Sequence, residues 1–346
     1  MKGAVFAGPG QLELRDIPTP HAGEGELVLK VGANTVCGTD GRILRGEKTA
    51  GIDLGVVLGH EISGFVVEVG HGVAGFSEGD LVSVMPTVPC LACYYCKAGA
   101  EHLCTRSTLF GYALDGGLAD YVRIPAQAME RGGVFRAESN VSAVEAALAE
   151  PLGCVLNGAA NYQPDAGDTV VVIGAGPIGL LHTQVNRLYG ASQVIVSDPT
   201  GERRALAEKL GATHTVDPTA QDLGEFVRGL TDGRGADVAV ICIGHNALVQ
   251  QAFQIVRKRG RVNAFAGFPK GALSNMDPNL IHYGELVVTG ASNSGRASLR
   301  LISEGAIDVK SLHTHTFELD DVVEGIEFAV SGSGVKVAIV PEIAAE

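Results

Sequence analysis

The fold is decided by the stretch Val170-Val171-Val172-Ile173-Gly174-Ala175-Gly176-Pro177-Ile178-Gly179-Leu180-Leu181. A β-branched run passes there into a G-x-G-x-x-G pattern, which leads into an apolar helical sequence. In a dinucleotide-binding fold the first glycine makes the tight turn, the second lets the backbone approach a pyrophosphate, and the third lets the helix pack on the strand. A plain tight turn is the alternative. The residues predicted to bind a dinucleotide are Gly174, Gly176, Pro177, Ile178 and Gly179.

Asp198 follows the next strand-like run, Val194-Ile195-Val196-Ser197. An acidic residue at this distance from the glycines accepts hydrogen bonds from the ribose hydroxyls of adenosine, and its charge repels a 2′-phosphate. The sequence therefore predicts NAD rather than NADP, although the nearby cations of Arg203 and Arg204 would weaken that repulsion. A surface carboxylate at the end of a strand is the alternative.

Around this stretch, from about residue 155, apolar strands alternate with helical patterns. Such alternation predicts βαβ units and a doubly wound parallel sheet, and therefore an α/β fold class. The predicted strands are 169–173, 193–197, 237–243, 261–266 and 286–290. The predicted helices are 177–189, 202–210, 223–230 and 247–258.

The first part of the chain has a different sequence pattern. Short β-type runs at 27–31, 62–69, 80–84 and 119–124 are separated by turns that contain glycine and proline, which predicts an irregular β-rich domain. The tail has a helical stretch at 320–329 and a final apolar strand at 335–340, which we expect to rejoin the first domain. We therefore expect domains at 1–154 and 155–292, and a return to the first domain at 293–346.

Composition narrows the range of partners. A net charge of −13 gives no clustered cations of the kind that nucleic acid or anionic lipid requires, so neither is an expected partner. The sequence has neither an apolar leader nor a run of about 18 apolar residues, which speaks against secretion and against a membrane span. We therefore expect a cytoplasmic protein with a small-molecule substrate.

The chain has seven cysteines. Disulfides are rare in a reducing compartment, where clustered thiols more often hold a metal. Four of the cysteines form C-x2-C-x2-C-x7-C within a lobe at about 86–106: Cys90, Cys93, Cys96 and Cys104. Four thiolates this close in sequence can enclose one tetrahedral Zn²⁺, which makes a structural site. An iron–sulfur cluster and unligated buried thiols are the alternatives.

A second set of possible ligands is dispersed: Cys37, His60, Glu61 and Glu150. Catalytic zinc sites use three protein ligands and keep one position open, and a set of cysteine, histidine and carboxylate is chemically suitable. The spacing alone does not identify such a site. Taken singly, each residue has an ordinary alternative as a small core residue, a loop histidine or a solvated charge.

In order and approximate spacing, these segments resemble the zinc-containing medium-chain alcohol dehydrogenase family over nearly the whole chain. The resemblance rests on Gly59-His60-Glu61, the four-cysteine lobe and the glycine stretch. It implies a GroES-like catalytic domain, split by an inserted Rossmann domain. It also implies two zinc ions per chain, and hydride transfer from an alcohol to a nicotinamide dinucleotide.

The resemblance further implies roles for single residues. Cys37, His60 and Glu150 would bind the catalytic zinc, and Glu61 would lie behind them or serve as an alternate ligand. Glu150 is also a candidate catalytic residue, in contact with a substrate hydroxyl or a zinc-bound water. Arg203 would lie near adenosine and Lys336 near the pyrophosphate. Glutamate at position 150, where many relatives have cysteine, is similar to the polyol dehydrogenase branch, which suggests a polyol substrate and a homodimer or homotetramer.

Three residues concern the substrate and its proton. The Thr39 hydroxyl, two residues after Cys37, is the candidate first proton acceptor, with a turn hydroxyl as the alternative. Arg42 stands where many relatives carry a histidine that completes a proton relay, and its guanidinium suits a phosphate or carboxylate group of the substrate. Asn293 stands in place of an arginine of sorbitol-type enzymes and is a candidate contact to a hydroxyl.

Three other functions compete with polyol oxidation. A threonine dehydrogenase would differ in substrate only. A reductase of quinones or activated double bonds would share the two-domain plan but usually lacks zinc, which the set of Cys37, His60 and Glu150 argues against. A non-catalytic NAD-binding protein would need no open metal site.

Overall fold

Short strands and turns form the first part of the chain, as its sequence predicts. The computed structural model describes residues 1–269, 271–274, 276–292 and 299–342. The chain divides into two units, of which the first combines Met1–Gly153 with Asn293–Glu346 and the second is Cys154–Ser292. The elements up to this division are β1 (Lys2–Gly8), β2 (Gln11–Asp16), β3 (Leu27–Thr35), α1 (Gly38–Leu44), β4 (Ile62–Val69), β5 (Leu81–Val84), β6 (Thr87–Val88), α2 (Tyr94–Lys97), β7 (Thr108–Leu109), β8 (Tyr121–Ile124), α3 (Ala126–Glu130), β9 (Val134–Arg136), α4 (Ala143–Ala147) and α5 (Ala149–Tyr162).

The apolar run before the glycine pattern becomes an inner strand of a parallel sheet in the second unit. The elements there are β10 (Thr169–Ile173), α6 (Pro177–Leu188), β11 (Gln193–Ser197), α7 (Gly201–Lys209), β12 (His214–Val216), α8 (Leu223–Leu230), β13 (Ala236–Ile241), α9 (Asn246–Ile255), β14 (Val256–Ala264), α10 (Pro278–Gly284) and β15 (Val287–Gly290). The strand order is β12-β11-β10-β13-β14-β15, and every pairing is parallel. The order reverses direction beside β10, which is the doubly wound arrangement that the sequence predicts.

Two expectations for this unit need correction. The helix predicted over 247–258 ends at Ile255, because Val256 already pairs with Ala236 and Arg257 binds the Asp237 carboxylate at 2.6 Å. Helix α10 was not predicted, although its start carries the usual signals: the Asp277 side chain accepts from the N–H of Asn279, and a proline follows directly. Its seven residues are too few to show a clear apolar period.

The tail completes the sheet of the first unit. Its elements are α11 (Leu299–Ser303), β16 (His313–Glu318), α12 (Val322–Ser331) and β17 (Lys336–Val340). The sheet order is β16-β17-β3-β4-β5-β9, and β17 runs antiparallel to β3 with Ala338 opposite Thr35. Among the described residues, no helix combines the length and apolar composition that a membrane crossing needs.

The tail also shares an apolar cluster with α1 and its approach. Val36 and Ile43 lie in the same buried cluster as Ile326 and Ile339. Because each fully buried aliphatic side chain stabilises the fold by roughly 1.5–3 kcal/mol, this packing fixes α1 against the returning segment. The position of Cys37, at the start of α1, therefore depends on residues from the end of the chain.

Candidate metal and dinucleotide sites

Three potential metal ligands from separate segments come together in the first unit. Cys37 is the N-cap residue of α1, and His60 and Glu61 directly precede β4. Their ligand atoms all lie within 4.8 Å of one another, and His60 and Glu61 are buried. A thiol, an imidazole and a carboxylate at this distance form a donor set that suits Zn²⁺. We call this set the Cys37–His60–Glu61 group.

Gly59 fixes the backbone in front of the imidazole. Its φ is +96°, in the left-handed region, and a Cβ there would come within 2.7 Å of Asn34 Oδ1 and 2.8 Å of Leu118 Cγ. Asn34 and Leu118 are fully buried, so neither can move away cheaply. Only glycine fits this position, and it thereby determines where His60 enters the group.

Asp40 lies behind His60, a contact that we did not predict from the sequence. Its Oδ1 is 3.3 Å from His60 Nδ1, although the two buried atoms lack the geometry of a hydrogen bond, and its Oδ2 accepts from the N–H of Cys37 at 2.8 Å. Burial lowers the pKa of His60, but the charges of Asp40 and Cys37 outweigh it and raise the pKa well above its ordinary value. A carboxylate in this place orients a metal-binding imidazole. The available signal was an acid three residues after Cys37, in the first turn of α1.

Glu61 is held by two further side chains. Its Oε2 lies 2.5 Å from the Lys336 ammonium and also accepts a hydrogen bond from Thr35 Oγ1. Lys336 is 4% exposed and Glu61 is 1% exposed, so water does not screen the pair. Burial lowers the pKa of Lys336, but the charges of Glu61 and Cys37 reverse that effect and raise it. Lys336 thus bonds to the metal-binding group here, and its contact with a pyrophosphate stays a prediction.

Glu150 lies near this group but outside it. It occupies the first turn of α5 and is 5% exposed. In the described parts of the chain, the set of ligand atoms within 4.8 Å contains the Glu61 carboxylate and not that of Glu150. Burial is the main cause that raises the pKa of Tyr112 to about 12, and the charge of Glu150 adds to this shift. The role of Glu150 as a zinc ligand remains a prediction.

The other substrate-side candidates lie on or after α1. Thr39 and Arg42 both belong to α1 and are partly buried. The carbonyl of Arg42 accepts main-chain hydrogen bonds from Glu47 and Lys48 at 2.9 and 3.1 Å, which folds the following loop back onto the helix. Asn293 lies outside the described residues, and so does its proposed contact.

The cysteine lobe brings four thiols together. The sulfur atoms of Cys90, Cys93, Cys96 and Cys104 all lie within 4.8 Å of one another, and no cysteine of the chain forms a disulfide. The main-chain N–H groups of Cys90 and Arg106 point at this cluster and donate to Cys104 Sγ at 3.2 and 3.4 Å. Thiols held in such a ring of donors suit a closed tetrahedral zinc site.

Thiol acidity in the lobe agrees with metal binding. Hydrogen bonds from the main chain at Cys96 and Thr105 lower the pKa of Cys93 to about 5, and one at Ala92 is the largest cause that lowers the pKa of Cys90 to about 7. Burial instead raises the pKa of Cys96 to about 12. Since the thiolate is the form that binds a metal, two of the four sulfurs are prepared for ligation.

The glycine stretch has the geometry of a phosphate-binding turn. Gly174 has a φ of +104°, and a Cβ on Gly179 would come within 1.8 Å of the Gly174 carbonyl oxygen. Gly176 is the N-cap residue of α6, with Pro177 in the first turn, and no described atom lies within 4 Å of where its Cβ would be. The turn therefore leaves room above the free N–H groups at the start of α6, where an anion is favoured.

Asp198 supports this turn directly. Its Oδ2 accepts from the N–H of Ala175 and its Oδ1 from the N–H of Thr200, each at 2.8 Å, and the residue is 3% exposed. Each carboxylate oxygen can accept a second hydrogen bond, so a role toward ribose hydroxyls is compatible with these contacts. The Arg204 guanidinium donates to the main-chain carbonyl of Asp198 at 2.6 Å and also lies 3.2 Å from the Asp217 carboxylate, so its charge is shared between the two acidic residues. Arg203 is partly buried on α7.

Comparison with known proteins covers both units. Residues 23–131 match the family model for the alcohol dehydrogenase GroES-like domain, and residues 177–304 match that for zinc-binding dehydrogenase. An L-threonine 3-dehydrogenase of Pyrococcus furiosus is 36% identical over 333 residues, which cover 94% of each chain. An erythritol/L-threitol dehydrogenase of Mycolicibacterium smegmatis is 33% identical over 359 residues, which cover 99% of this chain and 98% of the relative.

A solved structure extends the similarity to three dimensions. The crystal structure of a protein described as a zinc-binding dehydrogenase from Sinorhizobium meliloti 1021, bound to NADP, matches with a TM-score of 0.92 at 33% identity. The match covers 98% of this chain and 99% of that one.

Proposed function

Because the chain belongs to the zinc-containing medium-chain alcohol dehydrogenase family, whose members are zinc-dependent and NAD(P)-linked, we propose that it oxidises a secondary alcohol of a polyol, free or phosphorylated, to the ketone. The observation that carries the proposal is the buried Cys37–His60–Glu61 group, a donor set for a catalytic zinc. Glutamate at position 150 and the similarity to an erythritol/L-threitol dehydrogenase support a polyol as substrate. NAD is the proposed hydride acceptor, because of Asp198.

The residues of the chain have separate tasks in this reaction. A zinc ion, when bound, supplies a positive charge that makes the alcohol oxygen more acidic. Cys37 and His60, with Glu150 or Glu61, would hold that ion, and Asp40 keeps the imidazole in orientation. The Thr39 hydroxyl accepts the alcohol proton and at the same time passes its own proton on toward solvent. The glycine turn and Asp198 hold the dinucleotide, which accepts the hydride.

Lys336 compensates the negative charge of Glu61 in the Cys37–His60–Glu61 group. Its ammonium neutralises Glu61, which is shielded from water, so that Glu61 need not take up a proton. The carboxylate then remains available as a ligand beside Cys37 and His60. Buried charges are tolerated only as pairs of this kind, which is why we assign Lys336 to the site.

L-Threonine is the second candidate substrate, favoured by the 36% identity to an L-threonine 3-dehydrogenase. It shares with a polyol a secondary alcohol beside a carbon that bears a heteroatom. The two candidates therefore require the same hydride chemistry and differ in how the rest of the substrate is bound.

A screen of NAD reduction tests the proposal. Polyols, inositols, their phosphates and amino alcohols including L-threonine would be offered with and without a chelator. We expect turnover of a polyol or its phosphate that is lost on chelation and restored by Zn²⁺. Turnover of L-threonine alone would favour the second candidate. Tight NAD binding without any turnover, in a protein that holds two zinc ions, would indicate a non-catalytic role. Oxidation of NAD(P)H by a quinone or an activated double bond that survives loss of the catalytic zinc would indicate a reductase.

A further inference from the structure

The segment 42–48 has a net positive charge, although the protein as a whole is acidic. It contains three cations and one carboxylate, whereas the whole chain has a net charge of −13. The carboxylate, Glu47, is bonded by Arg45 through both of its oxygens, at 2.7 and 3.2 Å. The other cations of the segment are Arg42, whose charge also acts on Glu47, and Lys48, whose ammonium donates to the Ala50 carbonyl at 2.5 Å. An excess of positive charge is therefore kept at one place beside α1.

Lys48 lies over an aromatic ring that also packs against His60 of the metal-binding group. Its ammonium lies 5.5 Å from the centre of the Tyr112 ring, above the ring. The same ring packs edge-on against His60, with centroids 5.8 Å apart and planes at 79°. Burial is the main cause of the raised pKa of Tyr112, and the charges of Cys37 and Asp40 add to it, which agrees with a ring that faces the ligands. Lys48 and His60 thus both lie against the Tyr112 ring.

Arg42 lies beside Lys48 in the same fold of the chain. The N–H of Lys48 donates to the Arg42 carbonyl at 3.1 Å, and Arg42 itself belongs to the helix that begins after Cys37. Burial lowers the pKa of Lys48, and the Arg42 charge lowers it further. Two partly buried cations that repel each other are stabilised when an anion binds between them. Arginine and lysine together are suited to a phosphate, which accepts bonds on three oxygens.

We propose that Arg42 and Lys48 bind the phosphate group of a phosphorylated polyol while its secondary alcohol reaches the Cys37–His60–Glu61 group. The inference rests on the proposed function and names its substrate class. The Tyr112 ring, which lies against both Lys48 and His60, places this anion site beside the metal-binding group. A terminal phosphate on a sugar alcohol is several bonds from an inner carbinol carbon, whereas the carboxylate of threonine is separated from its carbinol carbon by one carbon only.

The experiment compares phosphorylated and neutral substrates in matched variants of the zinc-loaded enzyme. Ribitol 5-phosphate and galactitol 1-phosphate would be measured beside ribitol and galactitol, and L-threonine beside L-threoninol, which lacks the carboxylate. The variants are Lys48→Met, Lys48→Arg and Arg42→Gln. Lys310→Met is the control, because Lys310 is an exposed lysine of the same unit and its loss changes the net charge equally.

We expect Lys48→Met and Arg42→Gln each to raise KM for the phosphates roughly tenfold or more, as the loss of a charge-assisted hydrogen bond predicts. We expect KM for the neutral polyols to change less than about twofold, Lys48→Arg to recover most of the loss, and rising salt to weaken the phosphate reaction alone. Equal effects on neutral and phosphorylated partners, or a selective loss with threonine but not threoninol, would overturn the proposal.

Binding measurements separate this inference from the proposed function. Calorimetric titration with galactitol 1-phosphate needs no turnover, and we expect it to detect binding that Lys48→Met weakens and Lys310→Met does not. If neutral polyols are oxidised but the phosphate neither binds nor reacts better, the subsite is wrong and the function stands. If the phosphate binds through Lys48 but nothing is oxidised, the proposed function is wrong and the anion site stands.

Discussion

The ammonium of Lys336 lies 2.5 Å from the carboxylate of Glu61, and both side chains are almost completely shielded from water. We predict that Lys336→Met lowers the free energy of unfolding by about 3–5 kcal/mol, because it leaves the Glu61 charge buried without a partner. Chemical denaturation of the zinc-loaded protein measures this change. Lys336→Met combined with Glu61→Gln should recover much of the loss, since both charges are then absent.

The same variants test the alternative role of Lys336. If it serves the dinucleotide and not Glu61, Lys336→Met should weaken NAD binding and leave stability and zinc content unchanged. We expect instead that zinc content falls or that the spectrum of the Co²⁺-substituted protein changes, because the uncompensated charge of Glu61 alters the surroundings of Cys37 and His60. Lys336→Arg, which keeps the charge, is the matched control.

Zinc analysis should find two ions per chain, held independently. Cys96→Ala should leave one ion and lower the melting temperature, because a closed site of four thiolates contributes to folding. Cys37→Ala should also leave one ion, but abolish turnover with a smaller effect on melting. Cys242→Ala removes a cysteine outside both clusters and should retain two ions. Two ions in the Cys96→Ala protein would contradict the assignment of the lobe.

Cofactor preference should follow Asp198. We predict a higher kcat/KM with NAD than with NADP, and a roughly tenfold rise in the NADP-to-NAD ratio for Asp198→Ser, which removes both repulsion and ribose contacts. The ratio is the useful measure, because loss of the bonds to Ala175 and Thr200 will damage the turn for either cofactor. Asp232→Asn, which removes an exposed acid of the same unit, serves as the control. A wild-type enzyme that uses NADP at least as well would refute the preference.

Stability should depend on pH through His182. This residue is fully buried in the second unit, with its Nδ1 3.1 Å from the Tyr162 hydroxyl, and burial lowers its pKa to about 3. The unfolded chain, in which the pKa of His182 is near 6.5, therefore binds the proton more tightly than the folded chain. The free energy of unfolding is thus fully present above pH 6.5 and decreases as the pH falls below that value. Between pH 7.5 and 5.5 the loss is about 1.3 kcal/mol.

Urea unfolding at the two pH values gives a difference in the free energy of unfolding for the wild type and for each variant. Comparison of these differences isolates the contribution of His182, because the other titrating groups contribute equally to each protein. In His182→Gln the wild-type difference should shrink by that amount. Replacement of the exposed His71 by glutamine should leave the difference as it is. An unchanged pH dependence in His182→Gln would show that His182 is not the responsible group.

Assembly should involve the edge of the parallel sheet. Strand β15 is the last strand of the described sheet, and Val287 and Val288 on it are 50% and 47% exposed. An edge strand with apolar side chains pairs readily with its own copy, so we predict a homodimer or a tetramer built from it. Light scattering should find a smaller species for Val288→Lys, whereas Val323→Lys on α12 keeps the assembly. A monomeric wild type would disprove this prediction.

The sequence predicted the regular parts of the fold well because their signals are local. Strand β10 and helix α8 begin and end where expected, since a continuous apolar run and a clear apolar period need no distant partner. The GroES-like and Rossmann character was also confirmed. The boundary at Val256 was missed because pairing with Ala236 overrides a helical pattern, which no local feature announces.

The candidate sites, too, were predictable where their signals are local and were missed where they depend on contacts between distant segments. The cysteine lobe was recognisable because its four thiols lie within one short loop. Asp40 carried a weak local signal, but its contact with His60 depends on how α1 packs against the segment before β4. The pairing of Lys336 with Glu61 joins opposite ends of the chain through β17 and β3, and this proximity arises only from the folded sheet.

Strand β17 has a consequence for the order in which a newly made chain becomes complete on the ribosome. The cysteine lobe lies in one short stretch, so all four thiols emerge together and early in translation. The counter-ion of Glu61 is made only when β17 is synthesised, after the whole second unit. A nascent chain therefore holds all four thiols of the lobe long before the charge of Glu61 is balanced, which happens only when β17 has been made.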